Sequence, residues 1–419
     1  MPLAFLEQSI AKKLGILFLL LFSSPSLAED FTLPPGFEAT VFADDLGYAR
    51  HLAVREDGAV YTILRRRAFG PGLVAMIDDD RDGVADRVER FGSYRGTGID
   101  FYKGYLYFAT TSAIYRYHFE GDELVPLGAP EVVISGLSSF GNHSAKPFTF
   151  DGAGNIYVNF GAPSNACQVR SRSRGSPGQD PCPQLEARGG IWKFSANTLG
   201  QSADDGERYV TGIRNAMGLD WNFETGALFF TTHGRDQLAQ LWPDFYSTAQ
   251  SAELPSEEFH QATPGANYGW PYSYYDHIRG GRMVAPEYGG DGKTFAEEGK
   301  HQDPLLAFPG HWAPNDLLFY TGDVFPDIYQ GGAFIVFHGS WNRSPFPQEG
   351  YRVVFIPFEN GAPSGDWETF AEGFAGPGRI SSSGDAKYRP MGLGFGSDGA
   401  LYISDSVEGR IWRVIYLGQ

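Results

Sequence analysis

The sequence predicts an all-β chain of six blades around a central axis, a six-bladed β-propeller with long inserted loops. Three observations predict it. Helical periodicity is scarce, while glycine (54) and proline (27) are frequent, as expected of short strands separated by tight turns. One skeleton recurs along the chain: alternating apolar residues, a polar turn closing on glycine, then a second apolar run. Isolated hairpins are marginal in water and must pack face to face, and radial repetition leaves the fewest exposed edges.

Four copies of the skeleton are clear: RHLAVREDGAVY (50–61), KPFTFDGAGNIY (146–157), RNAMGLDWNFETGALF (214–229) and RPMGLGFGSDGALY (389–402). Two are weaker, GTGIDFYKGYLYF (96–108) and the interrupted DLLFYTGDVFPDIYQGGAFIVF (316–337). Their turn glycines are Gly58, Gly104, Gly154, Gly226, Gly332 and Gly399. Each copy reads as the innermost hairpin of one blade, which gives six blades. The uneven spacing of the turns places large insertions chiefly at 160–210 and 235–310. A β-sandwich is the other architecture such strands build, but it leaves the recurrence unexplained.

Residues 1–28 read as a secretory signal peptide. Lys12 and Lys13 precede the apolar run LGILFLLLF, and Ser26-Leu27-Ala28 offers a small-x-small cleavage pattern before Glu29. The run Leu14–Phe22 is too short to span a bilayer, and no later segment approaches 18 apolar residues; an uncleaved anchor is the alternative. Residues 29–419 are expected to form one exported propeller domain, with no insertion in the membrane. The net charge of −17 argues against nucleic acid or an anionic membrane as a partner, and it makes any basic cluster conspicuous. The only cysteines, Cys167 and Cys182, suit a disulfide worth about 2–3 kcal/mol in an oxidising compartment. Two free thiols are the other reading; a metal pair is disfavoured because no C-x-x-C occurs.

What precedes each skeleton carries the chemistry. Arg50 and Lys146 lie two residues before the first apolar strand position, Arg389 four, and Arg214 and His143 five. Equivalent positions of a propeller gather at one axis, so these groups are expected to converge on an anion site at the rim of a funnel. The planar guanidinium fork suits carboxylate. Surface pairing of each arginine with a nearby acid is the competing reading.

A second signal lies in IDDDRDGVADRVERF. Asp78, Asp80, Asp82, Gly83, Asp86 and Glu89 satisfy the D-x-D-x-D-G-x5-E spacing of an EF-hand loop, with Val84 offering its carbonyl. The flanks read as strand and loop rather than helices, so the expectation is a structural calcium loop that performs no chemistry. An empty acidic turn is the alternative.

The motifs NHSAKPFTFDGAGNIYVNFG (142–161), GIRNAMGLDW (212–221), ANYGWPYSY (266–274), GGAFIVFHGSWNRSP (331–345) and RPMGLGFGSDGALYISD (389–405) resemble the sorbosone and aldose-sugar dehydrogenases. These are soluble propellers using pyrroloquinoline quinone (PQQ), related to soluble quinoprotein glucose dehydrogenase. The resemblance runs from Phe31 to Tyr416. It implies PQQ over the central channel, its three carboxylates met by the cationic rim. It implies His143 as general base on the C1 hydroxyl, and neighbouring cations favour the neutral, proton-accepting imidazole. Arg214 is implied as a catalytic and cofactor-contacting residue beside Asn215, and Arg389 fits a late arginine position. Arg343 stands where the family has a carboxylate-binding lysine. Lys146 and Arg65 are further cofactor candidates, though Arg65-Arg66-Arg67 also reads as a solvated turn. Trp341 is placed to close over the planar cofactor or to fill the core. A calcium ion is implied at the backbone carbonyls of Gly234 and Arg235 in THGRDQL. Arg235 stands where the glucose dehydrogenases have proline, which puts that ligation in doubt.

The implied substrate is an aldose or a sugar aldehyde such as sorbosone, in a bacterial periplasm. No C-x-x-C-H haem motif is present, so electrons are expected to leave to a separate acceptor, a quinone or a cytochrome. Two other classes share the fold. A calcium-dependent propeller lactonase or esterase needs a central metal held by acids, whereas the inner-strand entries here carry cations. A non-catalytic binding propeller is expected to lose His143 or the Arg-Asn pair, and both are kept.

Overall fold

The computed structural model describes residues 32–66 and 70–418. The expected signal peptide and Arg67 lie outside the described residues. Six four-stranded antiparallel blades surround one axis, the second extended by a short parallel edge strand. The innermost hairpins are Ala49–Val54 with Val60–Leu64, Ile99–Tyr102 with Tyr105–Ala109, and Phe148–Phe150 with Asn155–Phe160. They continue with Ala216–Asn222 and Ala227–Thr232, Pro314–Phe319 and Ala333–His338, and Pro390–Phe395 and Leu401–Asp405. Each of the six sequence copies is one of these hairpins.

The ring closes through its ends. Phe37–Ala43 forms the outermost strand of the sixth blade, pairing Phe37 with Tyr416 and Ala39 with Val414. Burial of alternate strand faces leaves every adjacent pair of blades sharing one apolar layer. Tyr61, Leu73, Leu106 and Phe108 join blades one and two. Phe229, Phe259, Leu317 and Phe337 join four and five, and Phe42, Tyr402, Leu52 and Val74 join six to one. Phe229 is fully buried between blades, a site where truncation to alanine costs about 3–5 kcal/mol.

Two glycines let the inner strands approach one another at the hub. A Cβ on Gly218 would sit 2.8 Å from the backbone of Asp316, and one on Gly392 would sit 2.6 Å from the Arg50 carbonyl. Both belong to a Met-Gly-Leu triplet of an inner strand, where neighbouring backbones pass too closely for a side chain.

The insertions fall where the turn spacing puts them. Between the second and third strands of blade three, Cys167 and Cys182 are joined in a disulfide. Blade four carries short helices at Leu238–Leu241 and Thr248–Glu253 and a hairpin of Ser273–Asp276 with Gly281–Val284. These insertions share a small core of Leu238, Tyr246, Tyr274 and Met283. No helix among the described residues is long and apolar enough to cross a membrane.

Candidate functional site

Where the chain enters the inner strands, loops from all six blades enclose a cavity of about 610 Å³ at the hub. His143, Arg214, Asn215, Arg389 and Arg65 all line it. The convergence expected from the spacing of Arg50, Arg214, Arg389 and His143 is therefore present in the fold.

His143 sits on the loop leading into blade three with a left-handed backbone, φ 53°, a conformation several-fold enriched for histidine among non-glycine residues. Gly161 makes room for it: a Cβ there would lie 2.7 Å from both the His143 side chain and Asn215 Oδ1. His143 Nδ1 lies 2.7 Å from the Ala162 carbonyl. A carbonyl only accepts, so Nδ1 carries the proton and Nε2 keeps a free lone pair. Burial, with the nearby Arg214 charge, holds the imidazole well below its ordinary pKa. The ring is a neutral base at pH 7.

Arg214 is committed to protein groups. Its Nη2 donates to Asp236 Oδ2 at 2.8 Å and to Asn165 Oδ1 at 3.0 Å, and its Nη1 donates to the Gly234 carbonyl at 2.8 Å. Asp236 also accepts from Arg172 Nη2 at 2.8 Å and from Asn342 Nδ2 at 3.0 Å. Burial alone would raise the Asp236 carboxyl, but Arg214, His311 and Arg172 hold it well below the usual range. Arg172 is delivered by the disulfide-closed loop. Asn215 Oδ1 accepts from Asn159 Nδ2 at 3.1 Å. This side of the cavity is thus a fixed frame: Arg214 positions, and Asp236 holds it.

The opposite side is cationic and unpaired. Arg50, Arg65, Arg95 and Arg389 line the cavity, and none of them has a carboxylate within ion-pairing distance among the described residues. Arg172, Arg214, Arg235, Arg282 and Arg343 all do. Arg50 is 7% exposed, and its Nε reaches only Thr97 Oγ1 at 3.4 Å. Burial, then Arg65 and Arg389, pull its guanidinium down to about 9. Arg389 donates to the carbonyls of His338 and Gly339 at 3.2 and 2.7 Å. Arg95 Nε is buried without a hydrogen-bond partner.

Two cofactor candidates stand elsewhere. Arg343 is outside the cavity, its fork taken by the Ala252 carbonyl at 2.6 Å and by Glu253 at 2.6 Å, with Glu349 at 3.4 Å. It fastens the blade-five loop to the helix at Thr248–Glu253. Lys146 is fully buried, donating to the carbonyls of Ser138 and Ser144; it braces the loop that carries His143 and does not reach the cavity. Trp341 is 53% exposed and lines the cavity, which excludes core packing. Gly234 lines the cavity, but its carbonyl accepts from Arg214, while the Arg235 side chain turns away to Glu287.

Several lining residues lay outside the sequence reading. Asp236, Glu257, His233, His311 and His338 all face the cavity. Glu257 accepts the N–H of Gly234 at 3.0 Å and of Ala313 at 3.3 Å, and burial pushes its carboxyl up to about 8. His233 and His338 end or follow the second strands of blades four and five, each before a glycine. That repeated His-Gly was a usable signal.

The acidic loop lies apart from the cavity, between Leu73–Ile77 and Arg87–Phe91. Carboxylate oxygens of Asp78, Asp80 and Asp86 lie within 4.8 Å of one another. Asp82 and Glu89 are not in that group. Asp82 Oδ1 accepts the Val84 N–H at 2.9 Å. Glu89 sits inside the strand Arg87–Phe91, and an extended chain carries it away at about 3.3 Å per residue, where a helix would turn it back.

A family model described as TrAA12-like matches residues 31–416. Over 153 residues the chain is 31% identical to a pyrroloquinoline quinone-dependent pyranose dehydrogenase of Coprinopsis cinerea, a stretch covering 31% of this chain and 20% of that protein. The curated relatives are matched over only 20% to 48% of their own length. The solved holo form of the PQQ domain of a Coprinopsis cinerea pyranose dehydrogenase superposes with a TM-score of 0.71 at 17% identity, covering 92% of this chain and 97% of that one. A calcium structure of a Trichoderma reesei carbohydrate-active enzyme of family AA12 gives 0.74 at 18% identity, covering 94% and 98%. At such identities the likeness is one of fold.

Proposed function

The chain belongs to the TrAA12-like family, and from that premise we propose that it is an exported, PQQ-dependent sugar dehydrogenase. Its proposed reaction oxidises the C1 hydroxyl of an aldose, or a sugar aldehyde such as sorbosone. The observation that supports it most is the set of unpaired arginines facing a neutral histidine across one cavity. Beyond burial, Arg65 and Arg389 lower the Arg50 guanidinium and Arg65 lowers that of Arg389, an arrangement stabilised by a ligand carrying several carboxylates. PQQ is such a ligand, and when bound it supplies an ortho-quinone that takes up two electrons as hydride.

The chain's own residues do the rest. His143 Nε2 accepts the proton of the substrate hydroxyl as hydride leaves C1, and its Nδ1–H stays on the Ala162 carbonyl, fixing the ring. Burial, aided by Arg214, keeps the imidazole unprotonated beforehand, and Arg214 is itself held by Asp236. Asn215 offers its amide at the cavity wall. Calcium is proposed at the carbonyls of Gly234 and Arg235, where it would polarise the quinone. Arg214 Nη1 has to leave the Gly234 oxygen for that, so no step is assigned to the ion.

Export to a periplasm is supported by the order of basic, apolar and small residues through 12–28 and by the joined cysteines. Electrons are then passed to a separate quinone or cytochrome. The test is titration of purified apoprotein with PQQ, with and without calcium, followed by addition of aldoses. Saturable PQQ binding and reduction of the bound cofactor by sugar are expected. Absence of PQQ binding would overturn the assignment.

A further inference from the structure

The cavity holds more positive charge than its proposed cofactor needs. Three carboxylates match the mutually close Arg50, Arg65 and Arg389, and this leaves Arg95. Asp236 does not neutralise it, since that carboxylate is shared by Arg214 and Arg172. Glu257 does not either: its two carboxyl oxygens are taken by the N–H groups of Gly234 and Ala313. A bound calcium ion would add to the excess. In a chain of net charge −17, where the buried Arg214, Arg235, Arg282 and Arg343 all meet carboxylates, a cation left over at the mouth of a binding cavity calls for an anionic ligand.

Arg95 lies on the link between blades one and two, half-buried, with Gly96, Thr97 and the exposed Thr111 beside it on the cavity wall. Its Nε is buried without a partner. Its fork lines the cavity with no carboxylate within ion-pairing distance among the described residues, and a planar guanidinium beside two hydroxyls is a carboxylate-binding arrangement. His143 lines the same cavity from the neighbouring link, between blades two and three.

Resting on the dehydrogenase reading, we propose that the preferred substrate is an acidic sugar of the uronic type, its carboxylate held by Arg95 with Thr97 and Thr111 while C1 faces His143. A neutral aldose of the same ring fits the cavity but leaves Arg95 unpaired. Buried donors left without partners discriminate against ligands that lack the matching group.

The experiment uses protein reconstituted with PQQ and compares D-galacturonate with D-galactose, and D-glucuronate with D-glucose, for the unaltered chain and for Arg95→Gln and Arg95→Lys. PQQ affinity is read separately, by quenching of tryptophan fluorescence. The expected kcat/KM favours each uronate over its neutral partner at least tenfold. Arg95→Gln should collapse that ratio through KM, Arg95→Lys should recover part of it, and PQQ affinity should stay within twofold. Equal or better use of neutral sugars by the unaltered protein overturns the proposal, and so does a tenfold loss of PQQ affinity in Arg95→Gln, which would make Arg95 a cofactor anchor. Failure of the unaltered protein to bind PQQ overturns the dehydrogenase reading itself, and this proposal with it.

Discussion

Arg214 donates to Asp236 at 2.8 Å inside the cavity wall, the two side chains being almost fully buried. Replacing Asp236 with asparagine leaves two guanidinium groups facing a neutral amide. Breaking a buried pair from one side costs about 3–5 kcal/mol, so Asp236→Asn should lower the unfolding free energy measured by denaturant titration by that amount at pH 7. Because the folded carboxyl is held below its ordinary value, this contribution is full above the unfolded pKa near 3.9 and is lost as pH falls through the folded one. A loss under about 1 kcal/mol would show that the pair does not hold the frame.

His143→Ala should reduce kcat by about 10²- to 10⁴-fold, the usual contribution of a positioned base, with PQQ affinity kept. Full turnover in that variant removes the residue from its proposed role.

The acid limb of the pH–rate profile should lie below the ordinary histidine value near 6.5, because burial and Arg214 depress His143. Protonation on the acid side abolishes the base. Arg214→Met removes the nearby charge, so the limb should move to higher pH. A limb that stays in place would mean that Arg214 does not tune the imidazole.

Arg343 and Arg389 should separate cleanly. Arg343→Met cuts the fastening to Ala252 and Glu253 and should lower the melting temperature while the folded fraction binds PQQ normally. Arg389→Gln should cost at least tenfold in PQQ affinity with a smaller effect on melting. Isothermal titration on each variant checks both.

Opening the Cys167–Cys182 loop by Cys→Ser at both positions should cost about 3 kcal/mol, as expected for a loop of that length. It also loosens Arg172. The variant's Asp236 and Arg214 should then show faster amide exchange in their loop. Unchanged exchange would show that the staple acts on stability alone.

How much of this was legible follows from where each residue stands. The hairpins were readable because alternation and a turn glycine are local signals, and even the interrupted copy at 316–337 kept both. Arg50, Arg214, Arg389 and His143 were readable because each lies two to five residues ahead of the first apolar position of an inner strand, which topology converts into one place. The same rule applied to the weak copy at 96–108 finds Arg95, four residues before Ile99. Lys146 shows the limit of the rule, and Arg343 the limit of the resemblance: each fixes where a backbone goes, not which way a long side chain folds back. Asp236 and Glu257 come from an insertion and a third strand, and no short pattern brings them to the hub.

The ring has a consequence for how the protein comes into being. Its last blade is sealed by the strand Phe37–Ala43, which must wait for its partner Ile411–Tyr416, made only after all six inner hairpins. Until those partners meet, the six loops around His143 have no common centre, so a nascent or clipped chain has no cradle for its cofactor. Ligand binding then favours the closed circle alone, by about 2.7 kcal/mol at a hundredfold excess over Kd, and loss of the strand Ile411–Tyr416 should abolish it.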